Sequence, residues 1–209
     1  MCPFNHREWS RASDSVGGEA YLRAVLCLVC CVPNRGVLCR RCSCELRQGT
    51  DRLVGSKLPV HIGLSHEGPA RVLVRRLKYE AIRAAAGPLA DAMARRVPDP
   101  DGALVPVPRV PARTWRYGID PAKELARAYA ALVGATVVDA LTPVLWAPRH
   151  AGRARGDRAP VRFRARTMPH GPVVLVDDVV TTGLTLLAAS APVGAVRAIT
   201  ATGASRVKV

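Results

Sequence analysis

Hydrophobic and polar positions along the chain fall into short runs with two different periods. Val173-Val174-Leu175-Val176 is apolar at every position, so it reads as a strand covered on both faces inside a parallel sheet. Ala103-Leu104-Val105-Pro106-Val107-Pro108 is a shorter apolar strand that its prolines should end. Thr136-Val137-Val138 reads as another, and Val193 to Thr200, with Gly194, as a turn and a final strand. Helical patterns lie between them. Pro69 to Tyr79 carries Ala70, Val72, Leu73, Val74 and Leu77 with arginines interspersed, the pattern of an amphipathic helix. Pro88 to Val97 repeats it, with Pro88 suited to a first turn and Pro98 beyond the end. Asp120-Pro121 offers a capping carboxylate followed by proline at the first helical position. That helix should run through Leu125, Ala128, Tyr129 and Leu132 to a stop at Gly134. Another short helix should end near Ala191. Strand-helix-strand succession predicts an α/β fold, a mostly parallel sheet with helices on both faces. Thr50 to Gly68 reads as a polar connection, and residues 1–22 as a flexible leader.

Candidate chemistry gathers where the most apolar strand ends, at Asp177-Asp178-Val179-Val180-Thr181-Thr182-Gly183-Leu184-Thr185. In open α/β sheets the carboxyl end of a strand is where ligands bind. Ionised Asp177 and Asp178 only accept hydrogen bonds and suit a donor-rich partner such as a ribose diol. Thr181, Thr182 and Thr185 supply hydroxyls, and Gly183 lets the backbone approach a ligand closely. A helix opening at Gly183 to Thr185 would aim unpaired amides and its dipole at an anion. Together these describe a site for a sugar 5-phosphate. Competing readings are a magnesium-holding acid of a nucleotide hydrolase and a plain strand-turn-helix junction. No Gly-x-x-x-x-Gly-Lys-Ser/Thr loop accompanies the acids.

Cysteines form a second cluster. Cys27-Leu28-Val29-Cys30 and Cys39-Arg40-Arg41-Cys42 are two Cys-x-x-Cys pairs, and two such turns can complete a tetrahedral zinc site. Cys31 and Cys44 could substitute for Cys30 or Cys42, and His61 or His66 could contribute from further along. Clustering without an export signal favours metal over disulfides. With four protein ligands the zinc would be structural, because no coordination position stays open.

Charge changes this picture less than its size suggests. The formal net charge of +15 invites a nucleic-acid partner, but only Lys57, Lys78, Lys123 and Lys208 are lysines. Arginine-rich usage of this kind is expected from a GC-rich genome, and aromatics at 4% are sparse for a single-strand stacking platform. Arg149 to Arg166 is an arginine-rich loop, readable as a solvated charge run or as a hood over a polyanion. Trp115 and Tyr117, set among Arg113 and Arg116, could pack or could stack on a base. No apolar run approaches the about 18 residues of a membrane span and no secretory signal is visible, so a cytoplasmic protein without membrane contact is expected.

The Asp177 to Thr185 stretch resembles the signature of type I phosphoribosyltransferases, which hold the ribose phosphate of phosphoribosyl pyrophosphate (PRPP). Its strand-Asp-Asp-x-x-Thr-Thr-Gly-x-Thr pattern is complete. With the Cys-x-x-Cys pairs, Leu77-Lys78-Tyr79-Glu80, and Val105-Pro106-Val107-Pro108 followed by Arg113 and Tyr117-Gly118, the order resembles the ComF family of competence-associated proteins. The resemblance implies a type I phosphoribosyltransferase-like parallel sheet with flanking helices over 69–209, and a small zinc-binding segment over 23–50. It implies that Asp177 and Asp178 hold the ribose hydroxyls and act in catalysis, and that Val179 to Thr185 cradle the 5-phosphate. Pro108, Arg109 and Arg113 would lie near pyrophosphate, with Arg149 on the flexible loop above and Mg2+ bridging substrate oxygens. The implied activity is phosphoribosyl transfer to a nitrogenous acceptor. The alternative is a non-catalytic PRPP or nucleotide sensor working with single-stranded DNA or a competence helicase. Arg116-Tyr117-Gly118-Ile119-Asp120-Pro121 stands where the family carries Asn-Gln after its Arg-Gly-Phe, a departure on the acceptor side.

Overall fold

The computed structural model describes residues 25–144 and 161–204. Two-residue strands β1 (Val25–Leu26) and β2 (Pro33–Asn34) pair antiparallel and lead to the one-turn helix α1 (Arg40–Cys44). Strands β3 (Arg52–Val54) and β4 (Leu58–Ser65) then form an antiparallel hairpin. This hairpin overturns the expected polar connection over Thr50 to Gly68. Leu58, Val60 and Ile62 are buried at alternate positions, but Pro59, His61 and Gly63 between them disguise the period. Proline is tolerated there because it lies at the start of the strand, where no ladder N–H is required.

Helix α2 (Gly68–Glu80) follows, then a 3-10 turn (Arg83–Ala85) and α3 (Ala86–Arg96). Strand β5 (Ala103–Pro106) leads to α4 (Pro111–Tyr117) and α5 (Pro121–Val133). α5 begins and ends as its sequence dictates. Asp120 Oδ1 accepts a hydrogen bond from Lys123 N at 3.4 Å, Pro121 occupies the first turn, and Gly134 closes the helix at φ 69°. α4 was not signalled by any apolar period, since none of its residues is buried. Thr136 to Val138 makes only a single bridge, Val137 to Leu104, where a full strand was expected.

Strands β6 (Leu141–Val144) and β7 (Arg162–Ala165) pair as an antiparallel ribbon, so the end of the arginine-rich stretch is a strand anchored by buried Phe163. The rest of that stretch through residue 160, with Arg149, lies outside the described residues, as do residues 1–22. Last come β8 (Val173–Val180), α6 (Leu184–Val193) and β9 (Arg197–Gly203).

The main sheet has five strands in the order β3-β4-β9-β8-β5, all parallel except β3. β8 sits inside it, which explains its unbroken apolar run. Val174 and Val176 face α2, α3 and α5, packing with Leu73, Leu77, Leu89, Met93 and Leu125. Val173 and Leu175 face α6 and the β6–β7 ribbon, packing with Leu186, Ala189, Leu141 and Phe163. Each such aliphatic side chain contributes about 2 kcal/mol on leaving water. Tyr129, fully buried at 0% exposure, keeps its hydroxyl satisfied by donating to Val97 O at 2.6 Å. The result is a mixed α/β domain with helices on both faces of a mostly parallel sheet. No helix among the described residues is long and apolar enough to cross a membrane.

Candidate functional site

β8 continues through both acids to Val180, so Asp177 and Asp178 lie on the strand itself and the turn starts at Thr181. Successive strand residues point to opposite faces, which separates the surroundings of the two carboxylates. Asp178, 3% exposed, turns to the helix side, where Lys78 Nζ donates to its Oδ1 at 2.9 Å. α2 starts beyond the end of β4, and by Lys78 it has reached the end of β8. Burial works against the Lys78 ammonium, but the charge and hydrogen bond of Asp178 outweigh it and raise its pKa. Asp177 has no such cation in hydrogen-bond contact. Burial first, and the neighbouring Asp178 charge second, push its pKa from 3.8 up to about 8, with Lys78 partly opposing. One carboxylate is therefore paired with a cation, while burial and its neighbour push the other towards its protonated form.

Both acids line one cavity of about 180 Å³ at the carboxyl ends of β5 and β8. Pro108, Arg109, Arg113, Val179 and Thr185 share that lining, so seven of the residues singled out in the sequence meet around a single space. Thr181, Thr182 and Leu184 are exposed on the adjoining turn, while Val180 and Gly183 are buried. Gly183 caps α6 at φ 82°, and a Cβ there would stand 2.3 Å from Val54 Cγ1, so the turn admits only glycine.

Arg109 is more tied down than a surface arginine. Its Nη1 donates to Lys78 O at 2.9 Å and Ile119 O at 3.3 Å, and its guanidinium lies 4.8 Å from the Tyr117 ring centre and 5.8 Å from that of Tyr79. The two rings meet edge to face at 5.2 Å. Tyr117 is thus engaged within the fold. Trp115, in contrast, is 91% exposed. Arg109 Nη2 is buried without a hydrogen-bond partner, a donor left over at the cavity wall. Asp120 Oδ2 accepts from Arg109 N at 3.0 Å, so the same carboxylate caps α5 and fixes the turn after β5; burial raises its pKa.

Three groups at this end take part in contacts that the sequence did not reveal. Lys78 was visible only as part of a motif, because its partner lies a hundred positions away. Asp120 was visible as a cap but not as the anchor of Arg109. His66 pairs with Thr202 at 2.8 Å, and the Thr202 hydroxyl donates to Asp178 O at 3.3 Å. That hydroxyl has one proton, so His66 must donate through Nδ1, leaving Nε2 as the acceptor. Burial, with Arg71 nearby, lowers the His66 pKa, which favours the neutral ring.

The second constellation is the cysteine quartet. The Sγ atoms of Cys27, Cys30, Cys39 and Cys42 all lie within 4.8 Å of one another, with Cys30 and Cys39 at 3.6 Å. Tetrahedral zinc with bonds of about 2.3 Å requires sulfurs about 3.8 Å apart, so the quartet can hold a structural metal such as zinc. Burial opposes ionisation of Cys27, but amides of Cys30, Cys39 and Val29 outweigh it and bring the thiol down to about 6. Cys31, Cys44 and the two histidines stand outside the quartet. His61 instead pairs with Asp51 at 2.8 Å, and His66 with Thr202. The chain matches no known protein-family model and no curated protein.

Proposed function

We propose that this is a ComF-like, type I phosphoribosyltransferase-like protein that binds PRPP or a ribose 5-phosphate nucleotide at the carboxyl end of β8. The observation that carries this reading is the convergence of Asp177, Asp178 and Thr185 with Pro108, Arg109 and Arg113 around one cavity. In it the acids take the ribose hydroxyls and the Thr181 to Thr185 turn, opening α6, takes the 5-phosphate. Arg109 and Arg113 face the pyrophosphate, and the unused Arg109 Nη2 donor fits an anion there. Mg2+ carried by the pyrophosphate would lower the charge on that leaving group. Transfer breaks the bond from the anomeric carbon to pyrophosphate, which departs with the electron pair. A nitrogen of the acceptor forms the new bond and gives up its proton. Zinc in the cysteine quartet is assigned a structural role.

A second reading, a PRPP or nucleotide sensor without turnover, is favoured by one observation. Lys78 already occupies the Asp178 carboxylate, leaving that acid less available to a ribose diol. Calorimetric titration of Mg-PRPP into wild type and Asp177→Ala, alongside pyrophosphate release with a panel of nitrogenous bases, separates the readings. Binding with release supports the transferase, and binding without release supports the sensor. Equal failure of wild type and variant to bind removes both.

A further inference from the structure

The turn that closes the proposed phosphate site is shaped from outside by the edge hairpin. Arg52, on β3, donates through Nη1 to Thr181 O at 2.8 Å. Its Nη2 reaches Ala204 O at 2.9 Å and Val180 O at 3.5 Å. One guanidinium therefore gathers the carbonyls in which β8 and β9 end, and Ala204 N closes the set by donating to Val180 O at 3.0 Å. Packing follows the same line. Val54 fills the space in which Gly183 would carry a side chain, and a Cβ on Gly203 would stand 2.7 Å from Arg52 Nη2. β3 is itself held by Asp51. That carboxylate accepts from Ile62 N at 3.1 Å and from Arg96 Nε at 3.0 Å, and pairs with His61.

We propose that Arg52 is a positioning residue for the ligand site, fixing the Thr181 to Thr185 turn in the shape that presents its amides to an anion. The peptide between Thr181 and Thr182 is planar and trans, so its carbonyl and N–H point in opposite directions. Holding the Thr181 carbonyl towards Arg52 turns the Thr182 N–H away from Arg52. The inference rests on the proposed 5-phosphate role of this turn. It adds a residue outside the motif, on a strand that no phosphate-loop pattern includes.

The experiment compares wild type, Arg52→Met and Arg52→Lys as full chains with metal bound. It measures ribose 5-phosphate and Mg-pyrophosphate binding by calorimetry, and amide exchange across residues 174–185. Arg52→Met should weaken ribose 5-phosphate about tenfold, the effect of losing one charge-assisted hydrogen bond. Mg-pyrophosphate binding should change less than about twofold, because Arg109 and Arg113 are untouched. Exchange should quicken at Thr182 to Thr185 but not at Val174 to Val176, and Arg52→Lys should recover part of each loss. A role in stability alone would weaken both ligands together and quicken exchange along β8, and would overturn the proposal. So would wild-type ribose 5-phosphate affinity and exchange in Arg52→Met. If wild type binds no ribose 5-phosphate, the proposed function falls, and exchange at Thr182 to Thr185 alone decides whether Arg52 shapes the turn. Should Arg52→Met not fold, Arg52→Lys, which keeps the charge with fewer donors, gives the same comparison at smaller amplitude.

Discussion

The cysteine quartet and the end of β8 both concentrate polar groups, but they are held in place by opposite means. Across residues 25–44 the only buried side chains are Cys27 and Cys42, at 1% and 3% exposure. The strands there have two residues each and the helix five. Such a segment has no core of its own, and Leu28, Val29 and Leu38 only lean on the α2–α3 side of the sheet. A metal held by the four sulfurs would supply the order that this packing lacks. The cavity at β8 inherits its order from an interior strand packed on both faces before the first acid is reached.

The sharpest way to break that comparison is to take the metal away. Chelation, or Cys42→Ser, should remove an apparent binding energy of about 10 kcal/mol or more. Ordered amide signals should disappear from residues 25–44 while those of β8 and β9 persist. Loss of both sets in one transition would make the two regions a single cooperative unit. Lys78→Met tests the other side with a smaller effect. It leaves the Asp178 charge nearly buried and unpaired, which should cost about 3 kcal/mol in urea unfolding without changing metal content. Lys78→Met with Asp178→Asn should recover most of that loss. The smallest effect is one of pH. The pKa of Asp177 rises on folding from 3.8 to about 8, so the native state binds the extra proton between those values. Its contribution to stability is present in acid and fades as pH rises towards 8. The slope of stability against pH should flatten in Asp177→Asn, and an unchanged slope would mean that Asp177 titrates normally.

Legibility in the sequence followed the range of the interactions. α5 was readable end to end because its cap, first proline and closing glycine are all local. The inner strand was readable because burial on both faces leaves an unbroken apolar run. The cysteine pairs were readable by spacing, but excluding Cys31 and Cys44 required three dimensions. β4 was hidden because proline, histidine and glycine fill its alternate positions. The Lys78–Asp178 pair and the hold of Arg52 on Thr181 join residues more than ninety positions apart, and no local pattern announces them. The motif therefore marked the place of the cavity but not the side chains that brace it.

The two ends of the main sheet have a bearing on how copies of this chain meet. β3 offers three residues as an outer strand, beginning with a committed arginine, and β5 offers four, ending in proline and bridged on its open side by Val137. Neither presents a long row of spare amides and carbonyls for another strand to join. Crowded molecules thus find little to zip onto along the sheet, and association by strand addition is discouraged at both borders.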